Sequence, residues 1–146
     1  MARRRTLITY VIIYFFAIST AFRGLVHFQG MTYQWVVTGL LATYLIFLAI
    51  EPWLSRRSPW LTHIYLAVQT AITATLLFIP ADPIVTDYFA VLFIPPTLQA
   101  MRVFPPRTGF RWLIFFTVVM TILMIYRYGW GGGIAFVLMY TVAFLF

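Results

Sequence analysis

Residues 60–83 read WLTHIYLAVQTAITATLLFIPADP, and this stretch decides the fold. From Trp60 to Ile79 it carries no formal charge, and it closes on Pro80-Ala81-Asp82-Pro83, a helix-ending signal. An α-helix needs about 20 mostly apolar residues to cross a bilayer, with about 17 as the lower end. A charge at the bilayer centre costs several kcal/mol, so formal charges mark where the other spans must stop.

Working outward, residues 6–22 are uncharged between Arg3-Arg4-Arg5 and Arg23. Residues 32–50 form a second apolar block that stops at Glu51-Pro52, and a linker over 53–59 carries Arg56 and Arg57. The fourth block, 88–101, is short and contains Pro95-Pro96; a basic connector over 102–111 follows it. The fifth block is 112–126. Arg127 and Gly129-Trp130-Gly131-Gly132-Gly133 then make a turn into the sixth, 134–146. The expected fold is all-α: one membrane domain over 1–146, a bundle of about six transmembrane helices with both termini cytoplasmic.

Composition points the same way. The 146 residues are 63% hydrophobic and 9% charged, against about 25% charged in a soluble domain. Such a chain cannot cover its apolar surface with water-facing side chains and takes the lipid bilayer as its partner. Arg3-Arg4-Arg5 before an apolar run, with small residues at Ala17, Ser19 and Ala21, also resembles a signal peptide; five further apolar blocks favour an uncleaved first helix.

Arginine sets the orientation, because basic residues resist translocation and accumulate in short cytoplasmic loops. With the N-terminus inside, Arg3, Arg4, Arg5, Arg56, Arg57, Arg102, Arg107 and Arg111 lie on the inner side, against Arg23 and Arg127 outside. The net charge of +7 is thus spread between apolar segments and does not form the single basic face of a nucleic-acid binder. Localisation in the cytoplasmic membrane follows from this reading.

Catalytic raw material is scarce. The acids are Glu51, Asp82 and Asp87, the imidazoles are His27 and His63, and there is no cysteine. Thiolate metal sites and disulfides are thereby excluded. The expected topology puts Glu51 and His63 on one side and His27, Asp82 and Asp87 on the other, too far apart for general acid–base work. No catalytic, cofactor-binding or metal site is therefore expected, and no cofactor. The outer cluster of His27, Asp82 and Asp87 has ligand types for a divalent ion or a proton sensor, with ordinary interfacial polarity as the simpler account.

Two features inside the spans stand out. Thr62, Gln69 and Thr73 recur at spacings of seven and four and share one helical face, which suits interhelical hydrogen bonding inside a bundle. Pro95-Pro96 removes two backbone donors and disfavours helical geometry at Ile94. It marks either a hinge in the fourth span or the start of a helix.

The stretch Leu92-Phe93-Ile94-Pro95-Pro96-Thr97-Leu98-Gln99-Ala100-Met101-Arg102-Val103-Phe104-Pro105, followed by Arg107, Gly109 and Trp112, resembles the membrane sensor region of bacterial two-component sensor histidine kinases. The resemblance implies a sensory input module for signal transduction, a homodimer, and a kinase domain downstream in the same chain, which these 146 residues do not contain. It departs from those kinases in lacking the phosphoacceptor helix and ATP-binding domain; neither His27 nor His63 has the setting of a phosphoacceptor. The chain is accordingly expected to be the front of a longer protein. The alternative functions are a small oligomeric transporter or channel subunit with the Gln69 face lining its path, and a non-catalytic membrane subunit of a partner protein.

Overall fold

Proline sets the boundaries of this fold. Pro59 and Pro106 each stand in the first turn of a helix, where a missing N–H costs nothing and the fixed φ is already helical; Pro95-Pro96 also open a helix, but one that continues a 3-10 segment whose last carbonyls they leave without a backbone donor. The computed structural model describes residues 2–79 and 87–145. Every described element is helical: α1 (Ala2–His27), α2 (Gln34–Arg57), α3 (Pro59–Phe78), a 3-10 segment (Asp87–Phe93) running directly into α4 (Ile94–Val103), and α5 (Pro106–Leu145). Four of them, α1, α2, α3 and α5, are long and apolar enough to cross a membrane, which fits a multi-pass membrane protein.

Several boundaries differ from those read off the charges. Glu51-Pro52 does not end the second helix: α2 continues to Arg57, and Ser58 alone separates it from α3. Pro52 removes the N–H that would serve the Leu48 carbonyl one turn back, and the Tyr14 hydroxyl of α1 approaches that carbonyl at 3.4 Å instead. The basic connector shrinks to Phe104 and Pro105, because α5 begins at Pro106. α3 does stop before Pro80: Ile79 has φ −58° and ψ 127°, the extended geometry favoured before proline.

The short fourth block is longer in space than in sequence. In the structure it extends over 87–103, seven 3-10 residues followed by ten α-helical ones, and 3-10 structure rises faster per residue. Together they rise roughly 29 Å, close to the thickness of a hydrocarbon core.

α5 is broken at Gly129, whose φ of 70° and ψ of 178° belong to a region open essentially to glycine alone. A Cβ on Gly133 would lie 2.7 Å from both the N and the Cα of Ile125. In a continuous helix these two residues would be about 12 Å apart. The chain therefore doubles back at Gly129, and Gly133 is a point of close approach between the two arms. Of the glycine run, Gly129 alone leaves helical geometry.

Side-chain contacts fix which ends meet. At one end Glu51 of α2 pairs with Arg102 of α4, and His63 of α3 stacks on Phe104. At the other, Arg23 of α1 sits 4.8 Å above the Tyr88 ring, and Arg127 donates to the Leu77 and Ile79 carbonyls, capping α3. The core between holds Ile13 and Ala17 of α1, Leu41 and Leu48 of α2, Leu66 and Leu76 of α3, and Phe89 and Leu92 before α4. The outer surface is equally apolar: Val11, Phe15, Ile18 and Phe22 are 55–69% exposed along one stripe of α1. A soluble monomer rarely presents such a patch.

Gly133→Ala should force the arms of α5 apart. It is expected to cost about 1–3 kcal/mol of stability, read from unfolding in detergent micelles, whereas Gly131→Ala, with open space at its Cβ, should cost little.

Candidate functional site

The polar groups of this chain gather inside the bundle. Glu51, 1% exposed, lies with one carboxylate oxygen 3.7 Å from an Arg102 guanidinium nitrogen. That separation is an ion pair without a direct hydrogen bond, and Oε1 has no hydrogen-bond donor of its own. The other oxygen, Oε2, accepts from the Tyr10 hydroxyl at 3.5 Å. Arg102 in turn donates to that hydroxyl and stands 4.2 Å above the Tyr10 ring. α1, α2 and α4 are thereby tied at one end through a charge that would cost several kcal/mol to bury unpaired.

Deeper in the bundle a second network begins at another proline. Pro96 supplies no N–H to the Leu92 carbonyl one turn back, and the Tyr44 hydroxyl of α2 donates to it at 2.7 Å. The Gln69 amide of α3 donates to the Tyr44 carbonyl at 3.1 Å and to the Tyr65 hydroxyl at 3.3 Å. The Tyr65 hydroxyl donates a hydrogen bond to Gln99 Oε1 of α4 at 2.7 Å. Tyr44, Tyr65, Gln69 and Gln99 are all at most 1% exposed.

This network is not closed. Gln69 Oε1 and Gln99 Nε2 have no hydrogen-bond partner. One is an acceptor and the other a donor, and both belong to side chains that already share the Tyr65 hydroxyl. Leaving a buried polar atom unpaired costs about 1–3 kcal/mol.

The residues singled out by sequence fall into place unevenly. Thr62, Gln69 and Thr73 are all buried on α3, but of the three side chains only that of Gln69 hydrogen-bonds to another helix. Thr62 and Thr73 turn back to the Ser58 and Gln69 carbonyls of their own chain. Pro95 and Pro96 are buried and open α4, so they mark a junction of 3-10 and α-helix, and Ile94 is the first helical residue. In the outer cluster, the His27 ring packs edge-on against Phe28 at 5.5 Å. Asp82 lies outside the described residues, and Asp87 opens the 3-10 segment. Among the described residues no three His, Cys, Asp or Glu side chains come together for a metal ion.

Sequence reading missed Tyr44, Tyr65 and Gln99 as network members and took Glu51 for a helix-ending charge. A signal was available: a proline within a helical run strands the carbonyl four residues earlier, which points to Leu48 and Leu92. The donor's identity depends on which helix packs alongside, and spacing does not carry that. No protein-family model, curated protein or solved structure matches the chain.

Tyr44→Phe should strand the Leu92 carbonyl and cost about 1–3 kcal/mol. Pro96→Ala restores the N–H for that carbonyl, so the Tyr44→Phe penalty should shrink in its presence. A double-mutant cycle of unfolding free energies measures the coupling.

Proposed function

We propose that this chain is a six-span sensory module of the cytoplasmic membrane, non-catalytic, with both ends cytoplasmic. It passes a change in helix packing to a downstream signalling domain of the histidine-kinase type. Six crossings are supported by the roughly 29 Å rise of residues 87–103 and by the reversal of α5 at Gly129. The bias of eight arginines against two then makes both termini cytoplasmic.

The observation that carries the sensory reading is the unmatched pair, Gln69 Oε1 and Gln99 Nε2. The present packing leaves a donor and an acceptor idle on neighbouring helices. A second packing that joined them directly would recover that penalty, which would offset part of the cost of rearranging the helices. A stimulus selects between the two packings by favouring one energetically. α4 carries Gln99 and opens with Pro95-Pro96, where neither proline donates a backbone hydrogen bond to the preceding 3-10 turn, which gives the helix a point to rotate about. The short turn between α1 and α2 leaves no room there for a ligand domain, which points to a stimulus acting through the bilayer, such as thickness, lipid packing or temperature.

Cysteine is absent from the sequence, so introduced thiols report alone. In sealed vesicles, Arg56→Cys and Arg107→Cys should react with an impermeant reagent from the same side and Arg23→Cys from the other. Spin labels at Ile64 and Met101, both exposed, should give distance distributions that shift between short-chain and long-chain phosphatidylcholine. That shift should disappear in a Gln69→Leu, Gln99→Leu variant. Identical distributions in all bilayers would exclude the two-packing mechanism, and solute flux through reconstituted protein would favour a transporter.

A further inference from the structure

At the end of the bundle that holds the Glu51–Arg102 pair, a cleft of about 450 Å³ opens between α3 and α5, lined by His63, Thr108, Arg111, Trp112 and Phe115. Its polar groups are fixed in an unusual way. The Trp112 indole N–H donates to His63 Nδ1 at 2.9 Å, so that nitrogen carries no proton and acts as the acceptor. The neutral ring then holds its proton on Nε2, a donor that no described residue uses. The ring is held on one side by stacking on Phe104, centroids 4.3 Å apart, and at its edge by the Trp112 hydrogen bond.

Arg111 is exposed and has no hydrogen-bond or ion-pair partner among the described residues, in contrast to Arg102 and Arg127. Thr108 adds a hydroxyl. The cleft thus offers a guanidinium, an imidazole N–H and a hydroxyl, with no carboxylate in its lining. One wall is the Phe115 ring, 45% exposed, next to Ile114, 59% exposed, so the same surface continues into the apolar flank of α5. A free anion would use the donors and leave that flank idle. A ligand with a phosphate at one end and acyl chains at the other would use both.

We propose that this cleft binds the phosphate of an anionic phospholipid, with Arg111 as the charge partner, His63 Nε2–H and Thr108 as hydrogen-bond donors, and the acyl chains lying along Phe115 and Ile114. Guanidinium–phosphate contacts are short, charge-assisted and orientation-specific, which suits a headgroup held at one depth. The site stands independently of the sensory reading, because it needs no second packing of the bundle.

The test uses the full chain purified in a neutral detergent, with phosphatidylglycerol as probe and retention read by native mass spectrometry. Arg111→Gln should weaken phosphatidylglycerol binding about tenfold, the size expected for one charge-assisted contact. Arg56→Gln, an exposed arginine outside the cleft, should leave it unchanged. His63→Phe keeps the stack but removes the Nε2 donor, and it should weaken binding less than Arg111→Gln does. Equal loss in Arg111→Gln and Arg56→Gln would reduce the effect to general surface charge and overturn the site. Competition by millimolar inorganic phosphate as effective as that by lipid would assign the cleft to a free anion and overturn the lipid reading. Phosphatidylcholine retained as tightly as phosphatidylglycerol would overturn the requirement for net negative charge.

Discussion

A buried carbonyl whose helical N–H has been taken away by proline must find a donor on another helix, and this bundle is arranged around two such carbonyls. Leu48 loses its partner to Pro52 and is approached by Tyr14; Leu92 loses its partner to Pro96 and receives Tyr44. Away from water, each unpaired group would cost about 1–3 kcal/mol, so the two tyrosines specify which helix lies beside which. α1 is set against α2 by the first contact, and α2 against the 3-10 segment leading into α4 by the second. Hydrophobic packing fills the space between them but does not choose the neighbours with the same precision.

The second contact leads into the rest of the polar core. The backbone of Tyr44 also accepts from Gln69, which shares the Tyr65 hydroxyl with Gln99. α4, only ten residues long, is held by this chain of hydrogen bonds and by the Arg102 ion pair in addition to its packing against α1 and α5. Polar networks of this kind rigidify a core when every member is satisfied and loosen it when one is not. The idle atoms on Gln69 and Gln99 therefore put the least settled part of the bundle where its shortest helix meets its most buried one.

Arginine performs four different tasks here. Arg102 neutralises a buried carboxylate, Arg23 and Arg57 lie over aromatic rings, Arg127 caps a helix end, and Arg111 lines a surface cleft. A planar guanidinium with five donors suits all four, and an ammonium would serve the stacking and the bidentate contacts less well. The absence of lysine from the chain is compatible with that versatility.

The sequence by itself determined the helical class and those breaks that are purely local, at Pro59, before Pro80 and at Gly129, because hydrophobic length, proline and glycine act locally. Residues 60–79 read as a helix and fold as α3, and the glycine run marks the break at Gly129. Helical periodicity placed Thr62, Gln69 and Thr73 on one face of that helix; that the face points into the bundle is seen in the structure. What only the tertiary structure decided were the matters of partnership. Glu51-Pro52 looked like an end because a charge and a proline are each hostile to a buried helix; α2 passes through both because Arg102 and Tyr10 meet the charge and Tyr14 meets the stranded carbonyl. Tyr44 and Tyr65 were indistinguishable from other aromatics in an apolar run until the helices were placed side by side. Spacing along one chain shows which backbone groups will lack a partner, and three-dimensional packing alone supplies the side chain that meets them.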